Sequence, residues 1–142
     1  MAAAQYLEHL GQIPLFNSCN QKELAKIAKA TDELSVAEGR VLMSQGETGR
    51  EAFVIVDGKA TVEVGGNLVA ELGPGDHVGE LALLDGGPRT ATVVAATDLT
   101  VLVLSQRSFF SLIDDVPGLA RKILASMARI VRELDEQLAP RA

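Results

Sequence analysis

The chain has 142 residues, 47% of them hydrophobic and 23% charged, which is enough to bury one core of ordinary size and not two, so a single domain over 1–142 is expected. The net charge of −6 and a pI near 4.9 argue against a protein that holds duplex nucleic acid by neutralising many phosphates, because that needs clustered Lys and Arg. No apolar run approaches the roughly 18–20 residues of a membrane span, and Met1-Ala2-Ala3-Ala4-Gln5-Tyr6 lacks a basic region followed by an apolar stretch, so neither a membrane segment nor secretion is expected.

Residues 1–33 read as an N-terminal helical segment. Leu24, Ile27 and Ala28 recur at helical spacing between Gln21 and Ala30, and Asn20 with Glu23 has the form of a capping box. Leu15 and Phe16, after Pro14, are placed to staple this opening helix onto what lies behind it. Cys19 is the only cysteine, which rules out an intrachain disulfide, fits a cytoplasmic setting and reads as an inert small residue.

Between residues 34 and 105 the texture becomes β-rich: Arg40-Val41-Leu42-Met43, Phe53-Val54-Ile55-Val56 and Ala60-Thr61-Val62-Glu63-Val64 are separated by turn signals. Eleven of the thirteen glycines fall here, so the backbone turns sharply every few residues, as in all-β sandwiches and rolls and unlike parallel α/β sheets. Asp57-Gly58 and Gly65-Gly66-Asn67 read as hairpin corners. Ala91–Thr97 and Leu99–Leu104, divided at Asp98, are apolar enough to be central strands.

Residues 106–138 return to helical spacing. Ser105 is a candidate N-cap for a helix carrying Phe109, Phe110, Leu112 and Ile113, and Pro117 marks the start of a longer one. On that second helix Leu119, Ile123, Met127, Ile130, Leu134 and Leu138 form one apolar line, and Val116, Ala120, Leu124 and Val131 a neighbouring one. One surface cannot easily absorb so broad a face. The helix either covers the roll or also meets a second copy of the chain.

The chemistry concentrates in Gly73-Pro74-Gly75-Asp76-His77-Val78-Gly79-Glu80-Leu81-Ala82-Leu83-Leu84-Asp85-Gly86-Gly87-Pro88-Arg89-Thr90-Ala91-Thr92. Gly79 permits close backbone approach, Glu80 to Leu84 can form one helical turn with its free N–H groups toward an anion, and Arg89 returns beside it. A glutamate next to an anion site makes sense if it accepts a hydrogen bond from a sugar hydroxyl, so the ligand reads as a phosphorylated sugar. His77 and His9 are the only histidines, which disfavours a metal site; His77 reads as a satisfied loop residue. Taken alone, Arg89 would be a surface ion-pair partner of Asp85 or Glu80, and Glu80 a solvated turn residue.

Gly79-Glu80-Leu81-Ala82-Leu83-Leu84 followed by Pro88-Arg89-Thr90-Ala91 closely resembles the phosphate-binding cassette of cyclic nucleotide-binding domains, a family that includes cAMP-responsive transcription factors and protein kinase A regulatory subunits. The resemblance extends through Phe53–Gly58, the Pro74-Gly75-Asp76 turn and the closing helices, roughly residues 13 to 138. It implies an antiparallel β-roll, or jelly roll, with an N-terminal helical segment and two C-terminal helices, and a cassette over 79–91. It implies further that Arg89 pairs with the cyclic phosphate of cAMP or cGMP, that Glu80 accepts from the ribose 2′-OH, and that the N–H groups around Leu81 and Ala82 complete a cradle beginning at Gly79. Thr90 and Ala91 follow the arginine, Thr90 adding a hydroxyl. Val62, Val69, Leu72 and Val78 match wall positions for sugar and base, and the last helix matches the element that closes over the base.

Relatives that read adenine commonly carry small hydroxyl residues on that helix, where this chain has Arg132, Glu133, Leu134 and Asp135. Thr90 and an acidic residue there resemble features of cGMP readers, while the general run of the family favours cAMP. No enzyme is expected, since Glu80 is committed to the sugar and no histidine is placed nearby. With the sequence ending at Ala142, no winged helix-turn-helix, kinase or channel segment is expected in this chain. The expectation is therefore a receptor or regulatory piece whose C-terminal helix moves on binding and acts on an effector protein or its own homodimer. The alternative is a degenerate module that keeps the roll and binds no nucleotide.

Overall fold

The computed structural model of the chain describes residues 3–138. Its elements are α1 (Ala3–Gln12), a 3₁₀ turn (Pro14–Phe16), α2 (Gln21–Ala30), β1 (Asp32–Val36), β2 (Val41–Met43), β3 (Glu51–Asp57), β4 (Ala60–Val64), β5 (Asn67–Leu72), β6 (His77–Val78), α3 (Ala82–Asp85), β7 (Thr92–Ala95), β8 (Leu99–Ser105), α4 (Gln106–Asp115) and α5 (Leu119–Leu138). The strands form two antiparallel four-stranded sheets, ordered β1-β8-β3-β6 and β2-β7-β4-β5. This is the expected β-roll with flanking helices, and β7 and β8 are central as their apolar sequences predict.

β3 is buried on both faces, which explains its continuous apolar run. Ala52 and Val54 join Leu102 and Leu104 of β8 beneath the helices, in a core with Leu10, Phe16, Ile27, Leu83 and Phe109. Phe53 and Ile55 face the roll interior with Ala60, Val93, Ala95, Leu99 and Val101. Strand periodicity sends successive side chains to opposite faces, so one strand ties the two cores together.

Three local readings change. The helix over Gln21–Ala30 has its complete capping box, but it is not the first: α1 precedes it, a stretch whose Leu10 is buried while Tyr6 and Leu7 pack partly against the helix-side core. Asp57-Gly58 does not close a hairpin. Gly58, at φ 92°, turns the chain from one sheet into the other, whereas Gly65-Gly66 does join the paired strands β4 and β5. The helical turn in the cassette spans Ala82–Asp85, with Glu80 and Leu81 in the turn before it.

Ser105 caps α4 as expected, accepting from the Ser108 N–H at 3.1 Å. α5 attaches to the N-terminal segment. Its Leu119, Ile123 and Ser126 are buried, Lys122 Nζ donates to Glu23 Oε1 at 2.5 Å, and Arg129 Nη1 donates to Asn17 Oδ1 at 2.6 Å. Beyond Ile130 every described residue of α5 is exposed, Leu134 and Leu138 included. Cys19, half-buried nearby, has its thiol pushed up to about 11 by burial, with the Glu23 carboxylate adding, and stays protonated at neutral pH.

The hydrogen bond from Lys122 holds Glu23 below the ordinary carboxylate value of 4.5. A depressed folded-state value contributes stability that is present above the unfolded value and is lost as pH falls through the folded one. Lys122→Met should therefore cost stability at neutral pH and shrink the acid-side loss below about pH 4.5; urea unfolding of both proteins across pH 3–7 checks this, and identical pH profiles would contradict it.

Candidate functional site

β6 lies beside β3, with Val78 opposite Phe53 and His77 opposite Val54. The chain leaves β6 through Gly79, at φ 81°. A side chain there is excluded twice over, because an added Cβ would stand 2.5 Å from Arg89 Nη1 and 2.8 Å from the Glu51 carbonyl oxygen. The turn Glu80–Leu81 and α3 follow, anchored by the fully buried Leu83 and closed by Gly86 at φ 62°.

The return limb is zipped to the loop before β3. Gly49 N–H donates to the Gly87 carbonyl at 3.0 Å, Arg89 N–H to the Glu47 carbonyl at 2.7 Å, and Gly46 N–H to the Arg89 carbonyl at 2.9 Å. These bonds aim the Arg89 side chain inward. It is 9% exposed, its Nη1 donates to the Glu51 carbonyl at 2.8 Å, and its guanidinium carbon lies 5.6 Å from the centre of the Phe53 ring. Gly49 makes room for it, since a Cβ there would fall 2.3 Å from Arg89 Nε.

Among the described residues Arg89 forms no ion pair. Asp85 instead accepts from the Gly87 N–H at 2.8 Å, and Glu80 turns to His77. Burial pushes the guanidinium below its ordinary value, opposed in part by the Glu51 carboxylate, yet a guanidinium stays charged in proteins. A desolvated cation without a counter-ion is costly. None of its remaining nitrogens is sealed from the surface, so they remain accessible to a partner in the cleft.

Arg89 opens on a cleft of about 240 Å³, lined by Gly79, Glu80, Leu81 and Ala82 from the start of the cassette and by Gly87, Pro88, Arg89 and Thr90 from its end, with Met43 and Asp85. Glu80 is three-quarters buried, and its Oε1 lies 3.6 Å from His77 Nε2. Burial raises its carboxyl, but the neighbouring His77 imidazole and Glu80's own backbone N–H more than offset that, leaving it below the usual value and ionised at neutral pH. A buried cation and a carboxylate thus face one cleft without pairing with each other, an arrangement that suits an anion carrying a hydroxyl.

The structure brings Gly79, Glu80, Leu81, Ala82, Arg89 and Thr90 to the cleft and leaves the other expected residues outside its lining. Val62, Leu72 and Val78 pack partly against the roll-interior core, Val69 is 58% exposed on β5, Ala91 is buried, and Arg132 and Asp135 lie on the exposed end of α5. The amides differ as well. Leu81 N–H has no partner among the described residues, while Ala82 N–H is taken by the Gly79 carbonyl at 3.1 Å, the cost of turning sharply into α3. His77 is not a loop residue and is not remote from the site: it lies in β6 within ion-pair distance of Glu80, because the bend at Gly79 brings Glu80 back beside it. Gly49, Phe53 and the Glu51 carbonyl escaped the sequence reading; the two glycines of Gly46-Glu47-Thr48-Gly49 were the available signal for a close approach.

A family model described as the cyclic nucleotide-binding domain matches residues 33–116. The cAMP-dependent protein kinase regulatory subunit of Mycosarcoma maydis is 39% identical over 128 residues, an alignment covering 84% of this chain and 24% of that protein. The chain thus spans about a quarter of that relative's length. Among solved structures, the N-terminal domain of a transcriptional regulator from Streptomyces coelicolor superposes with a TM-score of 0.84 at 28% identity, covering 93% of this chain and 96% of the other. The regulatory domain of Toxoplasma gondii PKA, solved with cAMP, gives 0.70 at 30% identity, covering 78% and 44%.

Gly39 and Gly79 both have positive φ, but a Cβ at Gly39 meets nothing within 4 Å. Gly39→Ala thus measures backbone strain alone, about 1–3 kcal/mol, and Gly79→Ala should cost more in urea unfolding; equal costs would show that close packing on Arg89 contributes nothing.

Proposed function

The chain belongs to the cyclic nucleotide-binding domain family, and from that premise we propose that it is a non-enzymatic receptor module that binds cAMP and signals through its C-terminal helix. The observation that carries the reading is Arg89, buried, charged and without a carboxylate partner among the described residues, facing a cleft it shares with Glu80. In this reading the guanidinium takes the cyclic phosphate, assisted by the Leu81 N–H and the Thr90 hydroxyl, and Glu80 accepts from the ribose 2′-OH. No covalent step is assigned to any residue.

The cleft volume supports a division of labour. About 240 Å³ falls below the roughly 300–1,000 Å³ of most small-molecule sites, so the cassette encloses phosphate and sugar and the base needs a further cover. α5 fits that role: Leu124, Val131, Leu134 and Leu138 are exposed on it, as are Leu68 and Val69 on β5. Leu83 of the cassette shares a core with Phe109, Val116, Leu119 and Ile123, so a shift of α3 on binding would press on the start of α5. A ligand biases that helix only through contacts that differ between its positions.

Adenine is favoured by relatives named for cAMP, with cGMP the alternative that Thr90 and Asp135 suggest. Residues 1–142 act as one domain in this account, in a cytoplasmic setting, with an effector protein or a second copy of the chain as partner. Among the described residues no helix is long and apolar enough to cross a membrane.

Calorimetric titration of the chain with cAMP and cGMP tests the reading. We expect saturable binding, tighter for cAMP, with Arg89→Ala weakening it at least about thirtyfold, as loss of one partner of a buried charged contact implies. Binding of neither nucleotide would replace the receptor with a module that keeps the roll and holds no ligand.

A further inference from the structure

His77 stands on β6 three residues before Glu80, and its Nε2 lies 3.6 Å from Glu80 Oε1, with both side chains about a quarter exposed. Glu80 keeps its place in the cleft lining while one of its carboxylate oxygens stands beside the imidazole. The backbone of His77 is held in turn, since it pairs with Val54 on the doubly buried β3. Other charged groups around it are committed elsewhere. Asp76 accepts from the Gly73 N–H at 2.8 Å, Asp85 from the Gly87 N–H at 2.8 Å, and Arg89 donates to the Glu51 carbonyl. On the remaining neighbouring elements, Glu51 and Asp57 of β3 and His9 of α1, which lies against the Gly75 turn, form no ion pair with His77 among the described residues.

We propose that His77 is a positioning residue that orients Glu80 toward the ligand's sugar hydroxyl and makes nucleotide affinity depend on pH. The proposal rests on the receptor reading above and deepens it. A flexible glutamate loses rotamer freedom when it binds a hydroxyl, and a partner that fixes it beforehand removes part of that loss. A protonated imidazole holds the carboxylate more firmly than a neutral one, so affinity for a ligand that carries the sugar hydroxyl rises as pH falls.

The test titrates the full chain and its variants with cAMP and with 2′-deoxy-cAMP, which lacks the hydroxyl Glu80 would hold, at pH 6 and pH 8. His77→Leu should weaken cAMP about fivefold at pH 6 and leave the deoxy analogue almost unchanged. His77→Gln, a neutral donor, should recover part of that loss and show no pH dependence. Wild-type affinity in His77→Leu at both pH values would overturn the proposal, and so would equal weakening of both nucleotides, which marks a charge or folding effect not routed through Glu80. Failure of the unmutated chain to bind cAMP at either pH would overturn the receptor reading itself, and this role with it.

Discussion

The buried guanidinium of Arg89 is the constraint around which the cassette is arranged. Placing a cation inside a roll needs a carbonyl to accept from it, an aromatic face beside it and empty space along its length. Glu51, Phe53, Gly49 and Gly79 supply these. The first two lie on β3, the strand shared by both cores, so the position of the charge inherits the rigidity of the most deeply packed element. Neither glycine tolerates a Cβ without displacing the side chain.

Rigidity is unevenly distributed as a consequence. The roll and the cassette are knitted by backbone bonds between residues 46–49 and 87–89, whereas α5 is held mainly by its first two turns and by side-chain contacts to Asn17, Ser18 and Glu23. Polar contacts of this kind are individually modest. A helix fastened at one end, with apolar residues uncovered at the other, is the element on which the proposed signalling rests.

Much of this was legible in the sequence, for identifiable reasons. The capping box at Asn20–Glu23 and the cap at Ser105 are local and were read to the residue. The cassette stood out through its resemblance to the family's phosphate-binding cassette, and Gly79, Glu80 and Arg89 do meet at one cleft. What failed was non-local. That Asp57-Gly58 passes the chain between sheets depends on which strands pair, which a turn dipeptide does not encode. The loop through Gly49 meets Arg89 forty residues later in the chain, and His77 was read without the turn that folds Glu80 onto it. Val62, Leu72 and Val78 are apolar enough for a ligand wall or a core, and here they serve the core.

A cation held without a counter-ion costs the free protein stability that an anion would return. Equilibrium unfolding of the chain and of Arg89→Met, with and without saturating cAMP, tests that directly. The account predicts that the variant without nucleotide is as stable as the parent to within about 1 kcal/mol, or more stable, and that cAMP stabilises only the parent. A variant strongly destabilised on its own, yet stabilised by cAMP as much as the parent, would mean that Arg89 is a structural residue and that the anion site lies elsewhere.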